Sequence, residues 1–197
     1  MFKNPIVTIG NFDGVHIGHQ KILSRLIYLS EKKRGDPIVI TFSKHPRKIL
    51  NPDRSLKILT TSEEKTNAIF NFGVDNIILL NFTKEMANMS AEDFYFNILL
   101  KKIDTKDLVI GYDHAFGKNR EGNIDFLTRL SESNGINVTR VGEKIFNSKP
   151  ISSTWIRHEI ESGNMGLVSQ LLNRNYTITG SVVKGDGRGR LCRCMIK

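Results

Sequence analysis

Pro5-Ile-Val-Thr-Ile-Gly10-Asn-Phe-Asp-Gly-Val-His16-Ile-Gly-His19 is the stretch on which the reading of the whole chain turns. Its first five residues are apolar, mostly β-branched and run straight into a glycine, the pattern of a strand buried on both faces. Residues 20–33 then place Ile22, Leu23, Leu26, Ile27 and Leu29 along one helical stripe, which Gly35 and Pro37 bring to an end. Gly10–His19 is therefore a strand-to-helix turn. His16 and His19 lie three positions apart across Gly18, a spacing that puts both side chains on one face if the helix begins there. A helix N-terminus adds unpaired N–H groups and the positive end of the helix dipole. Gly10, Gly14 and Gly18 allow the backbone to approach a ligand closely. Two imidazoles over such a turn make an anion site, and phosphate is the anion that fits.

The same alternation of strand and helix continues outward. Ile38–Phe42 reads as a second buried strand. Thr61-Ser-Glu-Glu64 is a capping box that opens a helix to about Phe72, stopped by Gly73. Asn76–Leu80 is a third strand, and Ser90-Ala-Glu-Asp93 opens a helix to about Lys102. Leu108–Ile110, Ile124–Ser133 and Ile136–Val141 follow as strand, helix and strand. Two short helices, Ser153–Glu161 and Met165–Leu172, come next. This order predicts an α/β fold with a mainly parallel sheet covered on both faces. Ligands of such sheets bind beyond the carboxyl ends of the strands. Residues 10–19, 43–47, 111–120 and 142–154 all follow strands and are expected to share one rim.

Composition narrows the class. The chain has 197 residues, 39% hydrophobic and 25% charged, the balance of one globular domain. No apolar run approaches the roughly 18 residues of a membrane span. Met1-Phe-Lys-Asn-Pro5 lacks the apolar core of a signal peptide, so a cytoplasmic protein without membrane contact is expected. The net charge is +9, but the Lys and Arg residues are dispersed and no aromatic-basic stacking motif accompanies them. A solvated basic surface serving small anions is expected rather than nucleic-acid binding. The two cysteines, Cys192 and Cys194, have no further ligands near them and read as reduced thiols, not as a metal site.

The Gly10–His19 segment resembles the HxGH nucleotidyltransferase superfamily, whose motif Gly-x-Phe-Asp-x-x-His-x-Gly-His it matches. The resemblance implies a Rossmann-like, doubly wound parallel sheet and attack on the α-phosphate of ATP with release of pyrophosphate. It implies that Gly10, Asn11, Phe12, Asp13 and Gly18 line the ATP site. His16 and His19 would stabilise the charge that spreads over the phosphoryl oxygens. Mg²⁺ would arrive with ATP, with no metal held by the protein alone. A second element of the superfamily lies at a late helix N-terminus. Here it is Ile151-Ser-Ser-Thr-Trp-Ile-Arg157. Ser152, Ser153 and Thr154 either bind phosphate or simply cap the helix. Arg157, one turn on, is placed to clamp the leaving pyrophosphate.

Two further segments resemble the adenylyltransferase module of the bacterial bifunctional riboflavin kinase/FAD synthetases. Thr41-Phe-Ser-Lys-His45-Pro46 matches the family's Thr-Phe-x-x-His-Pro loop. Gly111-Tyr-Asp113-His-Ala-Phe116-Gly117 matches its Gly-x-Asp-Phe-x-Phe-Gly loop. The resemblance implies FMN + ATP → FAD + pyrophosphate. Phe116 would line a flat apolar slot for the flavin, Asp113 would accept from a ring N–H, and His45, with Pro46, would meet the FMN phosphate. Both segments also read as plain turns. His114 stands where the family has an aromatic residue, which is expected to alter flavin packing. Transfer to another phosphate-bearing substrate, or flavin binding without catalysis, are the alternatives to FMN adenylylation.

The adenylyltransferase domain is expected to occupy residues 1–174. Tyr176–Val183 alternates with period two and resembles the opening strand of the family's riboflavin kinase barrel, with Gly185–Arg190 as its glycine-rich loop. Residues 175–197 are thus expected to be the incomplete start of that barrel, without kinase activity.

Overall fold

The computed structural model describes residues 2–51 and 56–184. The Gly185–Arg190 loop and Cys192 and Cys194 lie outside the described residues, and the end assigned to a kinase barrel does so in part. Five strands form one parallel sheet: β1 (Ile6–Ile9), β2 (Pro37–Phe42), β3 (Asn76–Leu80), β4 (Asp107–Gly111) and β5 (Asn137–Val141). Their spatial order is β3-β2-β1-β4-β5. The chain therefore winds outward from β1 in one direction, then returns and winds in the other. The crevice beyond the carboxyl ends of β1 and β4 is the switch point of the sheet.

The residue pattern explains why both faces are covered. Val7 and Ile9, Ile38 and Ile40, and Leu108 and Ile110 point to one face, where they pack with Phe94, Tyr95, Leu99 and Leu127. Ile6, Val39 and Val109 point to the other, against Leu23, Leu26, Leu29 and Ile69. Every one of these strand residues is 0–4% exposed. The second face is covered by α1 (Ile17–Lys33) and α3 (Ser62–Asn71). The first is covered by α6 (Ile124–Ser133) and α5 (Ala91–Phe94), which continues as one π-helical stretch over Tyr95–Leu100. α7 (Ser153–Glu161) and α8 (Met165–Leu172) build a third cluster with Leu59, centred on Ile156, Val168 and Leu171.

The Thr61 capping box is present in full. Glu64 N donates to Thr61 Oγ1 (3.2 Å), and Thr61 N donates to Glu64 Oε2 (2.8 Å). Two short helices escaped the sequence reading, α2 (Pro46–Leu50) and α4 (Lys84–Asn88), because one turn and a half carries no periodicity. The two-residue strands β6 (Ile145–Phe146) and β7 (Lys149–Pro150), a small hairpin before α7, escaped it for the same reason.

One element expected from the sequence does not form. Tyr176–Val183 is not a strand. A strand exists through hydrogen bonds to a neighbour, and no strand among the described residues pairs with it. Ile178 and Val183 consequently face solvent, 85% and 79% exposed, while Tyr176 packs on the third cluster.

Candidate functional site

A cavity of about 660 Å³ opens beyond the carboxyl ends of β1, β2 and β4. Its wall combines Gly10, Asn11, Phe12 and His19 with His45 and Pro46, with Asp113 and Phe116, and with Ser152, Ser153, Thr154 and Arg157. Four segments far apart in sequence thus meet where the switch point places them. His16, Asp13 and Gly18 are not on this wall. They stand behind it, and for His16 and Asp13 the contacts below give the reason.

His16 is the N-cap of α1: its Nδ1 accepts from His19 N at 3.3 Å. The two imidazoles are stacked, with centroids 3.7 Å apart and planes 13° apart, and the edge of Phe12 packs on His19. Of the pair, only His19 faces the cavity. Burial lowers the His16 pKa to about 4, against the opposing pull of the Asp13 carboxylate. Burial, and then His16 beside it, hold His19 well below its usual value. Both rings are neutral at pH 7. Because His16 Nδ1 accepts, its proton sits on Nε2.

The turn that carries these rings is strained. Phe12 and Val15 have φ of 50° and 41°, a region that non-glycine residues, and β-branched ones above all, avoid. Gly14 sits at φ 82°, and a Cβ there would meet Leu59 Cδ1 at 2.7 Å. This glycine serves internal packing and not ligand approach. Contacts that tie the turn to the far end of α8 hold it in place. Gln20 Nε2 donates to Val15 O (2.9 Å) and Leu172 O (2.8 Å), and Arg174 donates to Gly14 O (2.8 Å). Neither Gln20 nor Arg174 was expected to matter, since no local pattern marks a residue whose partner lies over a hundred positions away.

Asp13 turns inward. Its carboxylate is nearly buried, accepts from Leu59 N (2.9 Å) and Thr60 N (3.2 Å), and forms an ion pair with Arg157 (2.5 Å). Its carbonyl accepts from Ser153 Oγ (3.0 Å). One side chain therefore locks together the β1–α1 turn, the start of α3 and the start of α7. Ser152 caps α7 by accepting from Trp155 N (3.2 Å), so its cap reading is realised while it also lines the cavity. Arg157 keeps a buried Nε without a partner.

On the opposite wall, His45 caps α2 through Nδ1, which accepts from Arg47 N at 3.1 Å. Its turn reading and its site reading are both realised. Phe116 packs between Phe94 and Phe126 and is pinned by backbone hydrogen bonds with Gly122. Asp113 is exposed, and Arg120 donates to its carbonyl at 3.1 Å. The His114 ring, 5.8 Å from Phe116, has a buried Nε2 without a partner. Burial lowers its pKa to about 4.

The wall does not fit a resident magnesium ion. Among the described residues no group of three or more His, Cys, Asp or Glu is placed to hold a metal. Asp13, the carboxylate of the β1–α1 turn, is already satisfied by Arg157 and two N–H groups.

The buried histidines have a consequence for stability. His16, His45 and His114 have native values near 4, while an unfolded His titrates near 6.5. Between those values the unfolded chain binds protons that the native chain does not, so stability falls as pH drops. The thermal midpoint is expected to be level just above about pH 7 and to fall from about pH 6.5 toward 4. His114→Phe is expected to shallow that fall, which calorimetry across the range measures. A parallel fall in the variant would remove His114 from the account.

The chain also has relatives. The FAD synthetase family model matches residues 2–155. The bifunctional riboflavin kinase/FMN adenylyltransferase of Buchnera aphidicola subsp. Acyrthosiphon pisum (strain APS) is 38% identical over 188 residues, which cover 95% of this chain and 60% of that protein. The protein of the same description from Escherichia coli (strain K12) is 32% identical over 185 residues, 94% of this chain and 59% of its own. The chain thus spans about three fifths of the length of these curated relatives. A crystal structure described as a macrolide-efflux protein from Streptococcus pneumoniae superposes with a TM-score of 0.84 at 28% identity, covering 96% of this chain and 61% of that one. With the family model matching more than three quarters of its length, over the strands and loops that build the cavity, the chain belongs to the FAD synthetase family.

Proposed function

We propose that this chain is an FMN adenylyltransferase, transferring AMP from ATP to FMN to give FAD and pyrophosphate. The observation that carries the reading is the single cavity in which the His19 turn and the Ser152–Arg157 helix start face the His45 and Asp113–Phe116 loops. A phosphate oxygen of FMN attacks the α-phosphorus of ATP, and the bond to the bridging oxygen of pyrophosphate breaks. Such a transfer needs reactants held in line and charge stabilised on the phosphoryl oxygens, more than it needs a covalent intermediate.

The chain's own groups then take these parts. His19, neutral and on the wall, donates to a phosphoryl oxygen. Its Nδ1 is buried without a partner, which leaves Nε2 as the atom for the ligand. His16 stacks behind it and fixes its ring. Gly10, Asn11 and Phe12 shape the floor for the α-phosphate, with Gly18 behind them. Ser152 and Thr154 stand over the β- and γ-phosphates, while Asp13 and Ser153 hold that helix start in place. Arg157, which lines the cavity, brings part of its charge to the leaving pyrophosphate. Mg²⁺ enters as part of the ATP substrate. Phe116 and Pro46 supply apolar surface for the flavin ring, Asp113 an acceptor, and His45 a contact to the FMN phosphate.

Residues 1–174 are the working unit in this reading, and the cytoplasm, where ATP and FMN are available, is its setting. No helix among the described residues is long and apolar enough to cross a membrane.

Incubating the purified chain with FMN, ATP and Mg²⁺ is expected to yield FAD and pyrophosphate in equal amounts, resolved by chromatography. Phosphopantetheine and nicotinate mononucleotide in place of FMN are expected to yield nothing. FMN binding without product would leave a flavin-binding protein and sink the catalytic reading.

A further inference from the structure

A smaller lobe of about 180 Å³ lies beside the main cavity, and Asn11 and His45 line both. Its most unusual wall is Lys65, on the second turn of α3. This lysine is 5% exposed. Its ammonium donates to Phe42 O at 2.7 Å, and no carboxylate among the described residues lies within ion-pair distance of it. An ammonium has three donors, and a buried cation with one partner is costly unless an anion completes it. Lys44 and Lys48 add charge at the rim, and Ser62 Oγ is buried there without a partner. Asp13 also borders the lobe; its carboxylate is paired with Arg157 and favours the charged form of Lys65 from beyond ion-pair distance.

We propose that this lobe is a phosphate subsite organised by Lys65, and that it receives the terminal phosphomonoester of the flavin substrate. The occupant rests on the FMN reading above. The chemistry is that of a small dianion: one buried ammonium, two rim ammoniums and a hydroxyl around a space that a phosphate fills. The position is also right, because Asn11 and His45 open the lobe onto the wall that carries His19. A phosphate held here reaches into the main cavity while the rest of the molecule lies along Phe116. Lys65 is a positioning and specificity residue in this scheme.

Equilibrium binding of FMN and riboflavin, compared by flavin fluorescence in the full chain without ATP, tests the proposal. Lys65→Met keeps the buried stem and removes the charge. It is expected to weaken FMN about 10- to 100-fold, the range for losing a charge-assisted hydrogen bond, with riboflavin affinity within about twofold. Lys48→Met, an exposed change that leaves the fold alone, is expected to weaken FMN about two- to threefold. Equal weakening of both flavins by Lys65→Met would show a merely structural lysine and overturn the proposal. So would weaker ATP or pyrophosphate binding with an unchanged FMN to riboflavin ratio. If the wild-type chain binds neither flavin, the FMN reading itself falls, and inorganic phosphate decides the subsite. Phosphate-induced shifts of the Ser62–Lys65 amide resonances that vanish in Lys65→Met uphold it, and their absence in the wild type overturns it.

Discussion

His19→Ala is expected to slow FAD formation by about a hundred- to a thousandfold, the usual loss on removing one donor to a developing oxyanion. FMN and ATP should still bind within a few-fold of wild type. The asymmetry follows from where the ring sits. Among the two stacked imidazoles only His19 faces the cavity, and it is neutral, so it offers a hydrogen bond rather than a charge. A neutral donor binds an ATP phosphate weakly in the ground state and more strongly as negative charge accumulates on the phosphoryl oxygens. The loss therefore falls on kcat more than on KM. His16→Ala should cost activity by a different route, since it removes both the cap of α1 and the ring on which His19 rests. Single-turnover rates for both variants separate these cases. Wild-type turnover in His19→Ala would defeat the assignment.

Asp13→Asn is expected to be the most destabilising conservative change in the chain. The Asp13–Arg157 pair is 5% and 13% exposed, so water does little to replace a lost partner. Breaking one half of a buried pair costs about 3–5 kcal/mol, because the other charge stays behind without compensation. In a chain of this size that lowers the thermal midpoint by about 10 °C or more. Asparagine keeps an oxygen for Leu59 N and Thr60 N, so the variant isolates the ion pair from those hydrogen bonds. Asp13→Asn combined with Arg157→Met should recover much of the stability and none of the activity, since the cation proposed to meet the leaving group is then gone. An Asp13→Asn protein that melts with the wild type would show that the pair is not holding the α7 start.

How much of this was legible in advance depends on how far each residue's partners lie along the chain. The alternation of strands and helices, the Thr61 box and the bounds of α6, α7 and α8 were readable, because period, cap and breaker are local signals. The two loops that resemble the flavin-type sequence were readable as motifs, and they do reach one cavity. Lys65 was not. In sequence it is one more lysine on an amphipathic helix, and only the packing of α3 against β2 buries it beside Phe42 O. The strand expected at Tyr176–Val183 failed for the opposite reason: its pattern is right, but a pattern cannot supply the neighbour that a strand needs.

The segment from Pro5 to His19 shows the same division at close range. By itself the sequence determined that a buried strand ends at Gly10, that a helix follows, and that two histidines three apart stand at the join, since propensity and spacing act within a few residues. Only the tertiary structure decided that His19 and not His16 faces the cavity, and that Asp13 points inward to Arg157. It also decided that Gly14 is a glycine because Leu59 leaves no room for a side chain. Those outcomes depend on α3, α7 and α8 arriving from dozens to more than a hundred residues away. Packing against them, and hydrogen bonds that tie Gln20 to Leu172 and bring in Arg157 and Arg174, hold a strained turn in a shape that its own residues would not adopt alone.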